Sequence, residues 1–341
     1  MDPTTKPTES SLAPQPGAAL AAGLSIRPAG WADLATVAQL ILDVCTADGD
    51  PTVAISPEDL KLEWQTPGFT LETDAWVVET AEGRLVGYQE FVDRHEHAAL
   101  NGDGYVRPGF RGLGIGTAML RALDARARLE LALAAPDLRV FLRNGMISTD
   151  QAACRLHENE GYRPIRYSWR MEITLAEAPP APVWPAEVQL RPFAPGEHDR
   201  LVWQAETEAF QDNWGSLPVD FEIWKFRKVA REDFDASLWH IAWAGDQIAG
   251  FSECRFRMGI GWVGTLGVRR PWRKQGLGLA LLLHSFGEFY RREMATVGLG
   301  VDAENPTGAT RLYKKAGMQV ANEYVFYEKE LRPGRELEAP E

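Results

Sequence analysis

The sequence predicts two mixed α/β domains in tandem, each with a central, mostly antiparallel sheet flanked by helices. The length of 341 residues exceeds one ordinary domain and suits two of about 150 residues. Hydrophobic residues make up 45% and charged residues 25% of the chain, which is enough apolar content for two cores. One order of elements also occurs twice: strand, helices, hairpin, strand, glycine-rich loop, long helix, strand, short helix and final strands.

Segments of low complexity divide the chain. Residues 1–23 are rich in Pro, Ser, Thr and Ala, a composition typical of a disordered arm. Residues 176–187 are Pro-rich and typical of an extended linker, and residues 332–341 form a polar tail. We therefore expect an N-terminal domain over 24–175 and a C-terminal domain over 188–331.

Composition also limits the function. A net charge of −12 argues against nucleic-acid or anionic-lipid partners, and it is compatible with an amine substrate or simply with solubility. The N-terminal residues lack the basic and apolar regions of a signal peptide, and no segment approaches the length of a membrane helix. We expect a cytoplasmic protein. The three cysteines are far apart and form no CxxC pair, so no metal is expected.

The first elements of the two halves match. Each half opens with a short strand ending in Arg-Pro, at residues 25–28 and 189–192. A helical stretch follows, and then a β-hairpin with a glycine-containing turn. The second strand of each hairpin carries a Glu three residues after a Gly, at Glu90 and Glu253. The offset between matching positions falls gradually along the chain, as duplication with small deletions predicts.

The next strand leads in both halves into Arg-x-x-Gly-x-Gly, which opens a long helix. The loops start at Arg111 and Arg273, each five residues after a valine. Free N–H groups and the helix dipole at such a helix start form a site for phosphate or pyrophosphate. Neither loop ends in the Gly-Lys-Ser/Thr of a Walker A loop, and neither follows the first strand as a Rossmann loop does. Two loops at equivalent places of a repeat are strong evidence of an anion site.

The C-terminal half continues with a strand, Asn305, a short helix, and Tyr313 four residues before Gly317. This pattern resembles the GNAT superfamily of acyl-CoA-dependent N-acyltransferases. The two-copy arrangement is similar to mycothiol synthase-like tandem N-acetyltransferases. The resemblance covers both halves, and it implies two GNAT-type domains that pack as an intramolecular pseudo-dimer. It also implies acetyl-CoA as cosubstrate and a small-molecule amine as acceptor.

The resemblance further implies which residues bind the coenzyme. The loops would hold its pyrophosphate, and N–H groups of the preceding strand would polarise the thioester carbonyl. The expected residues of the C-terminal half are Leu266, Gly267, Val268, Arg273, Lys274, Gln275, Gly276, Leu277, Gly278, Leu279, Asn305 and Tyr313. Those of the N-terminal half are Val106, Arg111, Gly112, Gly114 and Gly116. Asn305 could cap the following helix or contact the pantetheine arm.

The resemblance places Tyr313 near the coenzyme sulfur as general acid, since a phenol with a pKa of about 10 is protonated at neutral pH. The strand before the second loop has no acid where many relatives carry a glutamate. Glu253 on the neighbouring strand could accept the amine proton directly or through water, or could face solvent without a role. Asp302 and Glu304 are the alternative bases. None of the cysteines stands in an intact motif, so direct attack without a covalent enzyme intermediate is expected.

Asp212, Trp214 and Trp224 lie where relatives admit the acceptor, although core packing is the favoured role for either Trp taken singly. In the N-terminal half, His157 replaces the motif tyrosine and Thr149 replaces the asparagine. This half is therefore expected to have lost catalysis and to hold a coenzyme or support its neighbour. The predicted function is N-acetyl transfer to a primary amine by the C-terminal domain. The alternative is a non-catalytic acyl-CoA-binding or regulatory protein. A relative that uses charged tRNA is disfavoured by the acidic composition.

Overall fold

The computed structural model describes residues 20–217 and 219–337 and divides the chain into two compact units. Most of the predicted arm and the last residues of the predicted tail lie outside the described residues. The first unit contains residues up to Met146, Asp150–Pro164 and Tyr327–Leu337, and the second contains Ile147–Thr149 and Ile165–Phe326.

The sheet of the first unit is mostly antiparallel. Its strands and helices are β1 (Leu24–Pro28), α1 (Leu34–Ala47), α2 (Pro57–Trp64), α3 (Leu71–Asp74), β2 (Ala75–Thr80), β3 (Leu85–His95), β4 (Ala99–Val106), α4 (Ile115–Leu129), β5 (Val140–Ile147) and α5 (Gln151–Asn159). β1 to β4 form an antiparallel meander, with β5 parallel to β4.

The second unit repeats this plan. Its elements are β6 (Arg163–Thr174), β7 (Val188–Pro192), α6 (Asp199–Phe210), α7 (Phe221–Lys228), β8 (Trp239–Ala244), β9 (Gln247–Arg257), β10 (Ile260–Val268), α8 (Leu277–Arg291), β11 (Thr296–Asp302) and α9 (Ala309–Lys315). β7 to β10 form an antiparallel meander, β11 is parallel to β10, and β6 is antiparallel to β11. The predicted class, a mixed and mostly antiparallel α/β fold present twice, is confirmed.

The last strands do not follow the order of the sequence halves. β6 comes from the first half of the sequence, but it pairs with β11 in the second unit. The end of β12 (Gln319–Arg332) belongs to the first unit, where Nε of Arg139 donates a 2.8 Å hydrogen bond to Glu330. Beyond β12, the backbone N–H of Arg335 donates to the carbonyl of Asp137 at 2.7 Å. Each unit is thus completed by a segment from the other half of the sequence, and the boundaries at 175 and 188 stay a prediction.

Helix α8 is held on the second sheet by an apolar face with helical spacing. Leu277 and Leu281, four residues apart, are buried together on this face. A Cβ at Gly250 of β9 would meet Leu281 at 3.1 Å, so the glycine allows the helix to lie close to the strand. This packing fixes the N-terminus of α8 just beyond the end of β10. Among the described residues, no helix has both the length and the apolar content that a bilayer crossing requires.

Candidate active site

The two glycine loops have the same backbone conformation. Gly112 and Gly114 have φ values of 81° and 79°, and Lys274 and Gly276 have values of 64° and 86°. Gly114 and Gly276 are the N-cap residues of α4 and α8. Two left-handed residues separated by one residue turn successive N–H groups toward one side, which forms a concave site for an anion. The predicted anion geometry is therefore present in both units.

Some residues of the second loop are exposed and can contact a ligand, whereas others are buried in the core. Lys274, Gln275 and Gly276 are exposed, whereas the Leu277 side chain is buried in the core. No described side chain caps the N-terminus of α8, so the N–H groups of its first turn remain available to an external acceptor. A Cβ on Gly278 would stand 3.0 Å from Leu312 of α9, so this glycine permits the packing of two helices.

Arg273 attaches the loop to its surroundings. Its guanidinium donates to the carbonyl of Val268 at 3.1 Å and to the carbonyl of Ala209 at 3.0 Å. It also pairs with Asp212, at 3.1 Å. Hydrogen bonds from Arg270 and then Arg273 hold the pKa of Asp212 below its usual value. Asp212 therefore lies against the loop arginines, and its predicted place at the acceptor entrance stays a prediction.

The edge of β10 facing β11 is paired over a short length. The described parallel ladder consists of Gly261 with Val297 and Trp262 with Gly298. On its other edge, β10 pairs with β9 through to Val268, after a bulge between Val263 and Thr265. Alternate N–H groups of an antiparallel strand point away from its partner. Because the N–H of Arg269 donates to Ala249 of β9, the N–H groups of Leu266 and Val268 point toward the edge that faces β11, whereas that of Gly267 points toward β9. This direction fits the polarising role predicted for Leu266 and Val268 but not the one predicted for Gly267.

Tyr313 lies on α9 and is 7% exposed. It belongs to an apolar cluster against which Leu266 of β10 also packs, so the predicted acid and the predicted strand share one core. Burial raises the pKa of Tyr313 to about 12. The phenol therefore carries its proton throughout the neutral range.

Asn305 does not cap α9, because that helix begins at Ala309 with Gly308 as N-cap. Its Oδ1 instead accepts hydrogen bonds from the N–H of Thr307 at 2.9 Å and the hydroxyl of Thr307 at 2.5 Å. This is an Asx-type turn before the helix. The capping interpretation was wrong, and contact with a coenzyme stays a prediction.

Glu253 is buried on β9 with 4% of its surface exposed, which excludes the solvent-facing interpretation. Its Oε2 accepts a 2.7 Å hydrogen bond from Nζ of Lys228, and its Oε1 has no partner among the described residues. Burial, reinforced by the charge of Glu206, raises the pKa of Glu253 to about 8, while Lys228 opposes this rise. A carboxyl with this pKa can take up a proton near neutral pH.

Lys228 and Glu206 are functional candidates that the sequence reasoning missed. Nζ of Lys228 donates to both oxygens of Glu206, at 2.7 and 2.8 Å, and to the hydroxyl of Thr265 at 3.0 Å. Nε1 of Trp224 donates to Glu206 at 2.7 Å. The only signal in the sequence is spacing: each of the two charged residues follows a buried apolar residue by four positions, Val202 in α6 and Trp224 in α7.

The alternative bases are engaged elsewhere. Arg166 of β6 binds Asp302 through Nε and Nη2 at 3.0 and 2.8 Å, and Glu304 through Nη1 at 2.7 Å. The same guanidinium lies 5.4 Å from the ring centroid of Trp214, whereas Trp224 is buried in the core. Both carboxylates are thus bound to one arginine, whereas Oε1 of Glu253 has no partner among the described residues.

In the first unit, His157 occupies the place of Tyr313 on α5. Its Nδ1 lies 2.9 Å from the carbonyl of Ala153, and its Nε2 lies 3.0 Å from Nδ2 of Asn144. A carbonyl can only accept, so Nδ1 carries the hydrogen and Nε2 accepts from the amide. Burial lowers the pKa of His157. Both ring nitrogens are thus occupied, and the neutral ring has no proton to give to a ligand.

One group of side chains in the first unit has donors suited to a metal ion. A possible ligand atom from each of Asp93, His97 and Glu130 lies within 4.8 Å of the others. Nδ1 of His97 lies 2.6 Å from Glu130 and 3.0 Å from Asp93, and Arg126 also pairs with Glu130. These mutual contacts account for all three groups without an ion, and the expectation of no metal stays a prediction.

Comparison with known proteins gave consistent results for both units. Residues 72–164 match a family model described as acetyltransferase (GNAT) domain, and residues 200–318 match one described as acetyltransferase (GNAT) family. The mycothiol acetyltransferase of Catenulispora acidiphila is 28% identical over 321 residues, which cover 89% of this chain and 97% of that protein. The protein of the same name from Streptomyces scabiei is 31% identical over 253 residues, with coverages of 72% and 75%.

Solved structures extend the likeness to the arrangement of elements. A GCN5-related N-acetyltransferase from Sphaerobacter thermophilus is 37% identical, with a TM-score of 0.79. The match covers 94% of this chain and 100% of that chain. The family match over residues 200–318 includes the β10–loop–α8 segment and α9, the elements that carry the candidate site.

Proposed function

Because the chain belongs to the GNAT family of N-acetyltransferases, we propose that its second unit transfers an acetyl group from acetyl-CoA to the primary amine of a small molecule. One observation carries the proposal. The exposed left-handed loop at the start of α8 adjoins the open edge of β10, and Leu266 on that edge packs in the cluster of Tyr313. An anion site and outward-directed N–H groups therefore lie on the β10–loop–α8 segment, and a protonated phenol belongs to the apolar cluster against which Leu266 of this segment packs.

The loop residues fit a pyrophosphate. The N–H groups around Gly276 supply donors, the absent side chain leaves room for close approach, and Lys274 adds a positive charge. Gln275 is exposed beside them, whereas Arg273 acts by holding the loop in place. Acetyl-CoA, when bound, supplies an acetyl group activated as a thioester.

The residues of the second unit would then divide the proton transfers. As the amine nitrogen forms its bond to the acetyl carbon, the bond from that carbon to sulfur breaks. Glu253 takes the proton that the amine loses, and Tyr313 gives its proton to the departing sulfur. Amides at the end of β10 stabilise the negative charge that develops on the acetyl oxygen. Attack is direct, with no covalent enzyme intermediate.

The relatives support the small-molecule class of the acceptor. Those from Catenulispora acidiphila and Streptomyces scabiei are named mycothiol acetyltransferases. This chain has Trp262, Val263 and Gly264 on the strand where many GNAT relatives carry a glutamate, so its base would come from β9 instead. We therefore propose an amine acceptor of the same size class without assigning mycothiol chemistry to this protein.

The proposal is tested by measuring thiol release from acetyl-CoA over a panel of small primary amines. Tyr313→Phe removes the proton donor, and we expect kcat to fall by about 10²–10⁴-fold with little change in acetyl-CoA affinity. His157→Gln in the first unit is the matched control, because Gln can still donate and accept, and kcat should be unchanged. Calorimetry measures coenzyme binding to all three proteins.

Two results would contradict this assignment. Tight acetyl-CoA binding without turnover of any amine would favour an acyl-CoA-binding regulatory protein. Full activity in Tyr313→Phe combined with loss in His157→Gln would move catalysis to the first unit.

A further inference from the structure

The candidate base belongs to a compact group of charged side chains, here called the base cluster: Glu206, Lys228 and Glu253. Nζ of Lys228 lies between the two carboxylates, 2.7 Å from Oε2 of Glu253 and 2.7 Å from Oε1 of Glu206. The three residues come from α6, α7 and β9, and all belong to the second unit. The cluster therefore depends on the packing of both helices on the sheet.

One oxygen of this cluster lacks a hydrogen bond. Oε1 of Glu253 is buried and has no donor among the described residues. A buried carboxylate oxygen without a donor is costly. Glu253 pairs across the strands with Thr265, which precedes Leu266 at the open edge of β10. An amine N–H arriving at this edge would supply the missing donor.

The charges of the cluster oppose each other in their effect on Glu253. Glu206 disfavours a negative charge there, and Lys228 favours it. Strands β8 and β10 contribute Trp239 and Thr265 opposite Glu253, and neither is charged at neutral pH. A hydrogen bond from Thr265 also favours the ionised form of Glu253, to a smaller extent than Lys228 does. When both carboxyl groups and the ammonium are ionised, the cluster carries one net negative charge.

We propose that Lys228 and Glu206 are positioning residues that set the protonation state of Glu253, whose Oε1 accepts the N–H of the acceptor amine. The inference rests on the proposed function. When the amine nitrogen bonds to the acetyl carbon, its N–H bond breaks and the proton moves to Oε1 of Glu253. Lys228 stays paired with Glu206 while Glu253 is neutral, and Glu253 later releases the proton to water. No other reactant is required.

The test compares pH profiles of kcat/KM for the wild type and four variants. Activity of the wild type should rise with pH as Glu253 loses its proton. Lys228→Met removes the cation that favours the carboxylate, so the rise should move up by about one pH unit or more. Glu206→Gln removes the opposing charge but keeps an acceptor for Trp224, so the rise should move down. Lys228→Arg should restore a profile near that of the wild type.

Lys225→Met is the matched control. Lys225 lies one turn earlier on α7 and pairs with Asp199 at 3.1 Å instead of with Glu253. Its loss should leave the position of the rise unchanged. A second readout does not need turnover: the infrared carboxyl band of Glu253, obtained as the difference between each protein and its Glu253→Gln form, is followed against pH. The pH at which the carboxyl band disappears should move up in Lys228→Met and down in Glu206→Gln.

The outcomes separate the inference from the proposed function. Opposite shifts in both readouts support the inference. The inference alone would be overturned if turnover depends on Tyr313 but the pH profiles of kcat/KM do not move, or move in the same direction, in Lys228→Met and Glu206→Gln. Opposite infrared shifts in a protein that turns over no amine would overturn the proposed function and with it the role of Oε1.

Discussion

The two glycine loops are nearly the same, but the short helices that follow them differ in their chemistry. Both loops place left-handed residues at matching positions, and Gly116 and Gly278 each lie against a leucine of the short helix. α9 then presents Tyr313, a phenol with no hydrogen-bond partner described, whereas α5 presents His157 with both ring nitrogens occupied. Loop geometry is thus maintained by helix packing in both units, and by itself it does not indicate catalysis.

The position of the candidate base shows a second difference. In the second unit, Glu253 bonds to Lys228 at 2.7 Å. At the matching place of the first unit, Glu90 accepts from the hydroxyl of Tyr88 at 2.8 Å. The cross-strand partner of Glu90 is Asp103, and burial raises the pKa of Asp103 to about 6. The two units share a backbone frame, but different side chains control protonation in each of them.

The largest effect is expected from deleting residues 327–337. This segment belongs to the first unit, where Glu328 pairs with Arg139 and Arg143, and Arg332 donates to the carbonyl of Leu138 at 3.1 Å. Deletion would leave both arginines without these carboxylates and β5 without the β12 residues on the side away from β4. We expect amide hydrogen exchange in β5 to rise toward that of an unfolded chain, as measured by mass spectrometry.

The control is the same deletion with the segment supplied as a synthetic peptide, which should restore protection of β5. Unchanged protection in the deleted protein would show that the first unit folds without the C-terminal segment. The two units would then not differ in whether they need this C-terminal segment to fold.

Local patterns account for most of what the sequence predicted correctly. The hairpins, the loops and the start of α8 follow from residues close together in the chain, so turn chemistry and glycine spacing were sufficient. The location of the last strands was not accessible in this way. Gly161 and Gly317 begin equivalent segments, and a repeat does not specify which sheet each copy joins.

The base cluster was partly predictable. Glu253 was identified from its position after Gly250, but its burial depends on helices α6 and α7 covering that face of the sheet. Lys228 and Glu206 belong to no motif, and the distance between them in sequence hides their contact. Asn305 was misread because an asparagine before a helix is a common N-cap, whereas Pro306 and the turn at Thr307 delay the helix to Ala309.

An intermediate effect is expected from Gly276→Ala. A Cβ there meets nothing within 4 Å, so the cost comes from the φ of 86°, about 1–2 kcal/mol for a non-glycine residue. If the loop leaves this conformation to avoid the strain, its N–H groups no longer converge. We expect acetyl-CoA affinity to fall by about 5–30-fold, measured by calorimetry.

Gly114→Ala is the matched variant in the first unit, with a φ of 79° and equally open space. This substitution should lower the free energy of unfolding by a similar amount but leave turnover unchanged. An equal loss of turnover in both variants would contradict the proposal that only the second unit catalyses the reaction, because the first loop would then take part in catalysis.

The smallest effect concerns Lys274, which has a φ of 64° where the first loop has Gly112. Lys274→Gly relieves a left-handed strain of about 1–2 kcal/mol but adds the chain entropy of glycine, about 0.5–1 kcal/mol. We expect the free energy of unfolding to rise by at most about 1.5 kcal/mol. Acetyl-CoA affinity should nevertheless fall by less than about tenfold, with a weaker salt dependence, because a cation beside the phosphates is lost.

Lys274→Gln separates the charge of this side chain from its backbone effect. Gln keeps a Cβ at the same left-handed position, so stability should match that of the wild type while affinity falls as in Lys274→Gly. If affinity falls only in the glycine variant, the loop conformation matters and the charge does not. The lysine would then contribute nothing that the glycine loop of the first unit lacks, and the reason for placing coenzyme chemistry in the second unit would rest on Tyr313 and the base cluster alone.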